Sequence, residues 1–290
     1  MSNFSPLRYP GGKGTLAPYM REIIEKNDLM GGTYAEPFAG GAGIALDLLF
    51  SGYVARIEIN DIDPCIHAFW HSVVYETDAM VDQIHSTDVN IENWLSAREI
   101  KRHHQNHSRL EVGFATFLLN RTNRSGILNG GVIGGLSQSG KWKLDCRYNK
   151  DELADRIRRI GFHRPRISVS KLDANQFIKK IKEEKSEKYL IYIDPPYYIK
   201  GGYLYQNHFK HDDHVNLYNN ISTLDKKWIA SYDNVEQIRT IYKKFKQEQF
   251  NIGYSARNHS MGTEVMIFSD KISRPNRVYS SLKQKRALCA

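Results

Sequence analysis

Cysteine is scarce in this sequence, and the three present, Cys65, Cys146 and Cys289, are far apart with no paired spacing. That excludes a disulfide framework and a cysteine-based zinc site, and points to a reducing compartment. A His-Glu-x-x-His pattern is missing too. His103, His104 and His107 lie in a basic stretch with Lys101, Arg102 and Arg109, which suits a solvated helix face or phosphate contacts, so no metal is expected. No run of 18 apolar residues occurs and no signal peptide opens the chain, so no membrane contact and a soluble, cytoplasmic protein are expected. There is no phosphate loop. In Pro6-Leu-Arg-Tyr-Pro-Gly-Gly-Lys-Gly-Thr15, Leu7 stands where the first glycine would be, and Gly14 follows Lys13 in place of Ser or Thr.

What is present suits a globular protein with a polyanionic partner. The 290 residues allow one large α/β domain with an inserted module, and 41% hydrophobic content supports a core. The formal net charge of +9 suits nucleic acid without requiring it.

The chain is organised around Tyr189-Leu-Ile-Tyr-Ile-Asp-Pro-Pro-Tyr197. The apolar run reads as a buried strand, and the prolines, which cannot donate to a sheet ladder, end it. Each proline also holds its predecessor extended, so Asp194 and Pro195 are stiff. A carboxylate, fixed carbonyls and an aromatic ring then stand at the carboxyl end of a strand, where open α/β sheets place ligands. This suits methylation of an exocyclic amine, a poor nucleophile whose N–H groups Asp194 and the Pro195 carbonyl can accept. Tyr197 can stack on a base drawn out of a duplex. The plainer reading is a turn, with Asp194 capping a helix.

Helices are expected at Leu16 to about Lys26, 64–77, 91–106, 111–121, 151–160, 175–182, 211–223 and 234–246. Strands are expected at 54–60, 166–170, 189–193, 227–231, 249–252 and 263–268, the last two as an antiparallel hairpin. Residues 33–50 read as a strand, a glycine turn and a helix, and glycines let backbone approach a ligand. Asp61 ends the second strand, about 20 residues beyond that turn, where an acid can accept ribose hydroxyls. Asp63 before Pro64 reads as a helix cap. A nicotinamide enzyme would fit the glycine turn and Asp61 equally well, but not the stretch at 194–197 or the insert. From the second strand to residue 166 runs about a hundred residues, where a plain crossover takes a dozen or more. Its glycine-rich centre carries Arg121, Asn123, Arg124, Ser125, Gln138, Lys141, Lys143 and Arg147, side-chain types that read base edges or neutralise phosphates. These eight are expected to face DNA; a solvated polar loop is the alternative. Beyond Tyr197, glycines 201 and 202 between aromatics suggest a flap, with Tyr198 and Tyr203 stacking or packing.

Asp194-Pro195-Pro196-Tyr197 is the catalytic motif of DNA amino-methyltransferases. Together with Tyr9-x-Gly-x-Lys13 and Phe38-x-Gly40-Gly41, in that order along most of the chain, it resembles the Dam-type (D12 class) adenine-N6 DNA methyltransferases. The resemblance implies S-adenosyl-L-methionine as methyl donor and direct transfer to a flipped adenine in double-stranded DNA. It assigns catalysis to Asp194, Pro195, Pro196 and Tyr197. Cofactor contacts would come from Tyr9, Lys13, Phe38, Gly40, Gly41, Asp61 and Asp173, the last holding the cofactor adenine, although Asp173 equally reads as a helix cap. Asp as first motif letter favours adenine, whereas N4-cytosine enzymes usually carry Ser there and protein-glutamine methyltransferases Asn. The implied fold is α/β: a Rossmann-like S-adenosylmethionine-dependent methyltransferase sheet over 1–62 and 165–270, a mainly helical inserted target-recognition module over 63–164, and a basic tail over 271–290. The insert departs from Dam examples, so a GATC target does not carry over. The resemblance leaves open whether a cognate restriction endonuclease accompanies it, and the chain would act as a monomer or DNA-dependent dimer. The alternatives are an N4-cytosine or RNA-adenine methyltransferase, and a catalytically silent DNA-binding module that retains the pocket.

Overall fold

The strand expected at the centre is there. In the computed structural model, which describes residues 4–8, 13–199, 209–253 and 261–275, Tyr189–Ile193 is a strand with every residue buried. The chain folds as two compact units, Met1–Gly12 with Asp61–Lys171, and Lys13–Asn60 with Leu172–Ala290. Residues 4–8 thus group with the insert.

Among the described residues the second unit holds six strands: β1 (Gly32–Glu36), β2 (Val54–Asn60), β4 (Tyr189–Ile193), β5 (Lys227–Asp233), β6 (Lys246–Gly253) and β7 (Met261–Phe268), in the order β2-β1-β4-β5-β7-β6. The first four pair in parallel, with Tyr34 opposite Ile57 and Leu190, and Ile191 opposite Trp228. Strand β7 runs antiparallel to both β5 and β6. Parallel strands need helices on the sheet faces, and β4 is accordingly buried along its whole length, whereas β2 exposes Ala55 and Arg56. Helices α1 (Ala17–Lys26), α2 (Gly43–Phe50), α8 (Ala174–Lys182), α9 (His211–Ser222) and α10 (Glu236–Ile241) belong to this unit. On α8, Phe177, Ile178 and Ile181 recur at helical spacing and pack with Ile191, Leu217, Trp228 and Tyr242 in one core. This is the Rossmann-like α/β fold expected, ending in the expected antiparallel hairpin.

The other unit is mainly helical. It contains α3 (Pro64–Tyr75), α4 (Thr77–Ser86), α5 (Ile91–Arg102), α6 (Arg109–Thr122), α7 (Lys150–Phe162) and strand β3 (Ile167–Ser170). Asp63 caps α3 as expected, accepting from Cys65 N at 2.8 Å and Ile66 N at 3.2 Å. A capping box sets the start of α6: Ser108 Oγ accepts from Glu111 N, and Glu111 accepts from Ser108 N at 2.8 Å. Gly113 lets α6 lie close on α3, since a Cβ there would be 2.8 Å from the Ala68 carbonyl.

Two expectations need correcting. The helix expected over 234–246 spans only Glu236–Ile241, because Lys246 already starts β6. Strand β6 is polar (Lys-Gln-Glu-Gln) and pairs with β7 alone, so its other edge needs no apolar match. Helix α4 was not expected, since few of its residues are apolar. The flap residues 200–208, including Tyr203, and the tail from 276 lie outside the described residues. No helix among the described residues is long and apolar enough to cross a membrane.

Candidate active site

The strand ends of the parallel sheet bring together Glu36 from β1, Asp194 after β4, and Ser231 and Asp233 from β5. Ser231 Oγ donates to Asp194 Oδ1 at 2.7 Å, and Ser231 Oγ in turn meets the Tyr192 hydroxyl at 2.7 Å. The Lys13 ammonium lies 3.3 Å from Asp194 Oδ1 and 3.3 Å from the carboxylate of Glu264 on β7. It also donates to the Tyr197 hydroxyl, which itself donates to Glu264. Glu264 is 0% exposed. A half-buried carboxylate, Asp194, and a fully buried one, Glu264, thus share one buried ammonium. Burial pushes the Asp194 carboxyl above its ordinary range; Lys13 opposes this and Glu264 adds to it.

Lys13, expected at the cofactor, therefore has its charge at the Asp194 carboxylate. Tyr197, expected to offer an open ring, is 4% exposed, with the Lys13 ammonium 4.9 Å from its ring centre.

The chain leaving Tyr197 is clamped by Asp233, whose carboxylate accepts from Tyr198 N at 2.9 Å and Ile199 N at 3.0 Å. Tyr198 packs edge-on against His211, with its hydroxyl 3.0 Å from His211 Nδ1. No local pattern marked Asp233, Ser231 or Glu264.

Glu36 is a second buried acid. Burial raises its carboxyl to about 8, the charge of Asp194 adds to the rise, and a 3.0 Å hydrogen bond from Tyr34 opposes it. A carboxyl raised on folding supports the fold fully below its unfolded value, near 4.5, and loses that support as pH rises through about 8. Stability should therefore fall across that window by about 4 kcal/mol from this group, at 1.36 kcal/mol per unit. Urea melts of wild type against Glu36→Gln, from pH 5 to about 8.5, check it. The variant should lack this part of the slope, and equal slopes would remove the role.

The glycine turn after β1 has Gly40 at φ +45° and Ala42 also at φ +45°. Gly43 opens α2, and a Cβ there would reach ordinary contact, 3.5 Å, with Gly14. This turn is held by Asn60, which sequence reasoning missed. Its Nδ2 donates to Pro37 O at 3.0 Å and Leu172 O at 2.9 Å, and its Oδ1 accepts from Leu172 N at 2.8 Å. One amide thus ties the turn carrying Phe38, Gly40 and Gly41 to the loop carrying Asp173. Phe38 meets Phe209 edge-on at 5.6 Å. Asp173 Oδ1 accepts from Asn175 N at 2.9 Å, so Asp173 does cap α8. In the other unit, Asp61 Oδ1 accepts from Asp63 N at 3.0 Å. Tyr9 lies outside the described residues. The left-handed turn, without a side chain at Gly40 and Gly41, fits a small ligand approached by backbone.

The polar loop of the insert divides in two. Asn123 is 0% exposed: its Oδ1 accepts from the Trp94 indole at 2.7 Å, and its Nδ2 donates to Ile127 O and Leu128 O. It cannot face DNA, because its amide organises the loop. Gln138 likewise donates to Ile133 O and Gly135 O and accepts from Leu144 N at 2.9 Å. Arg121 donates to the carbonyls of Arg147 and Pro6. Burial, then the charges of Arg8 and Arg156, brings its guanidinium down to about 10. Arg124, Lys141, Lys143 and Arg147 are exposed, and Ser125 is half-buried at φ +57°.

Asn120, also unmarked by the sequence, clamps residue 8: its Oδ1 accepts from Arg8 N at 2.7 Å and its Nδ2 donates to Arg8 O at 3.0 Å. Gly126, at φ +74°, lies so close that a Cβ would be 2.0 Å from Arg8 O. Gly126→Ala should destabilise this unit by about 2–3 kcal/mol through strain and clash. A shifted urea midpoint would show it, and an unchanged midpoint would mean that the clamp is dispensable.

A family model described as D12 class N6 adenine-specific DNA methyltransferase matches residues 9–257. No curated protein matches the chain in sequence. Among solved structures, the rRNA methyltransferase aviRa from Streptomyces viridochromogenes is similar at 12% identity, over 90% of this chain and 86% of that one, with a TM-score of 0.42.

Proposed function

The chain belongs to the D12 class N6 adenine-specific DNA methyltransferase family, and from that premise we propose that it methylates N6 of adenine at a specific site in duplex DNA, with S-adenosylmethionine as methyl donor. The observation that carries the reading is Asp194, a carboxylate held by Ser231 and Lys13 at the end of a buried strand and followed by two prolines. The N6 amine is a poor nucleophile, because its lone pair is delocalised into the ring. One N6–H donates to Asp194 and the other to the Pro195 carbonyl, which leaves the lone pair directed at the electrophile. The base stacks on the Tyr197 ring, while the Lys13 ammonium stays between the Tyr197 hydroxyl and Asp194. Once methylated, N6 carries an extra positive charge and gives one proton to the Asp194 carboxylate. S-Adenosylmethionine, when bound, supplies a methyl group on a sulfonium, a leaving group that needs no protonation.

Phe38, Gly40 and Gly41 would hold the methionine part of the donor, Asp61 its ribose hydroxyls and Asp173 its adenine. Arg124, Lys141, Lys143 and Arg147 of the helical unit face the DNA, and flipping the base costs a few kcal/mol. A cognate restriction endonuclease is the natural companion of such an activity, and the protein works in the cytoplasm as a monomer or as a dimer formed on DNA.

Single-molecule sequencing of DNA from methylation-deficient cells expressing the protein tests this, with Asp194→Ala as control. N6-methyladenine at one short motif, absent in the control, is the expected result. Unmodified DNA, or N4-methylcytosine in its place, would overturn the assignment.

A further inference from the structure

Trp142 is 64% exposed, whereas Trp70, Trp94 and Trp228, the rest of the chain's four tryptophans, are fully buried. Tryptophan carries a large apolar surface, and such side chains left in water are those that anchor interfaces. The loop beneath it is well tied. Gln138 bonds three backbone groups of residues 133–144, and Lys143 donates to the Gln138 carbonyl. Gly134, at φ +86°, lets the Trp142 carbonyl come close: a Cβ there would be 2.8 Å from it. Gly140 packs on Gly134 in the same way, with 3.0 Å from its would-be Cβ to Gly134 Cα. The backbone of residue 142 is thus packed against Gly134, and its ring is open to solvent.

Trp142 forms one wall of an open concavity of about 480 Å³, shared with Arg124, Ser137, Ser139 and Lys141. The Lys141 ammonium is 5.6 Å from the indole ring centre. No carboxylate lines the concavity. An apolar protein partner would ask for apolar neighbours around the ring. Ile133 is the one other large apolar residue lining the concavity, whereas a base joined to a phosphate asks for a π face with cations beside it, which Trp142 with Lys141 near its ring and Arg124 across the concavity supplies.

We propose that Trp142 is a stacking platform for a nucleobase of the bound DNA, with Arg124 and Lys141 taking the flanking phosphates. The inference rests on duplex DNA being the substrate. Stacking of this kind tolerates any base, since each has a π face, so the contact positions the loop without reading sequence.

Because the other three tryptophans are buried, emission quenched by external acrylamide reports mainly on Trp142. Wild type, Trp142→Phe and Trp142→Ala are titrated at low salt with a short unmethylated duplex of mixed sequence. Tryptophan emission is recorded beside the anisotropy of a dye-labelled copy of the duplex. Emission should fall and acrylamide access should drop in step with the anisotropy. Trp142→Phe should bind about as tightly as wild type but lack that signal. Trp142→Ala should bind about tenfold more weakly, with an unchanged thermal midpoint. Duplex binding with Trp142 still open to acrylamide, or wild-type affinity in Trp142→Ala, overturns the inference and leaves the DNA assignment standing. Absence of duplex binding by wild type overturns both.

Discussion

Asp194→Ala should lower the single-turnover rate of methyl transfer about a thousandfold or more while leaving donor binding near the wild-type value. Preorganised groups aimed at developing charge are each worth about 10²–10³ in rate, and Asp194 is asked both to orient the amine and to take its proton. Ser231 and Lys13 hold its carboxylate from two sides, so water that replaces it would lack that fixed position. Only the ionised carboxylate can accept the N6–H. Because burial raises its pKa, the rate should decline as pH falls, beginning above the ordinary carboxylate range. Asp194→Asn keeps an accepting oxygen without the charge, so it should keep part of the rate and lose that acid limb. Transfer of a tritiated methyl group across pH, beside calorimetric titration with the donor, measures both. A wild-type rate in the alanine variant, or the same acid limb in the asparagine variant, would sink the mechanism.

Lys13→Met should cost about 3–5 kcal/mol of stability at neutral pH, the scale for removing one partner of a buried ion pair. The loss is large because two carboxylates depend on the same ammonium, 3.3 Å from each. Without it, the charge of Glu264 acts on Asp194 with no cation between them, and the repulsion is relieved when one of them binds a proton. The folded variant then holds more protons than its unfolded chain, so its deficit should shrink as pH falls and grow as pH rises. Adding Glu264→Gln to Lys13→Met should restore part of the loss at neutral pH. Denaturant melts at several pH values decide it. A deficit independent of pH, or no recovery in the double variant, would mean that the ammonium serves packing alone.

These two sites differ in how far they could be read from the chain. Asp194 was legible because a buried run followed by two prolines is a local signal, and the strand end needs no distant partner to be recognised. Glu264 was not, because only the sheet order β4-β5-β7 brings residues 13, 194, 231 and 264 together. The glycine turn was legible, but Asn60, which ties it to the Asp173 loop, resembles any strand-end amide. In the insert, residue type marked the polar loop without separating its two populations. Asn123 and Gln138 have the chemistry to read bases, yet their amides bond the loop's own backbone. Strand β6 was half hidden because an edge strand can be polar, and α4 because its apolar face is narrow.

The partition of the chain bears on how new specificities could be built. It passes from one unit to the other at Gly12/Lys13, Asn60/Asp61 and Lys171/Leu172. A chimera that transplants only the central block between relatives would leave residues 4–8 behind as host sequence. Arg8 would then meet a foreign partner in place of the Asn120 amide that grips both sides of its peptide. The exchangeable cassette is discontinuous: residues 4–8 have to travel with 61–171, although the polar loop proposed to face DNA lies more than a hundred positions away along the chain.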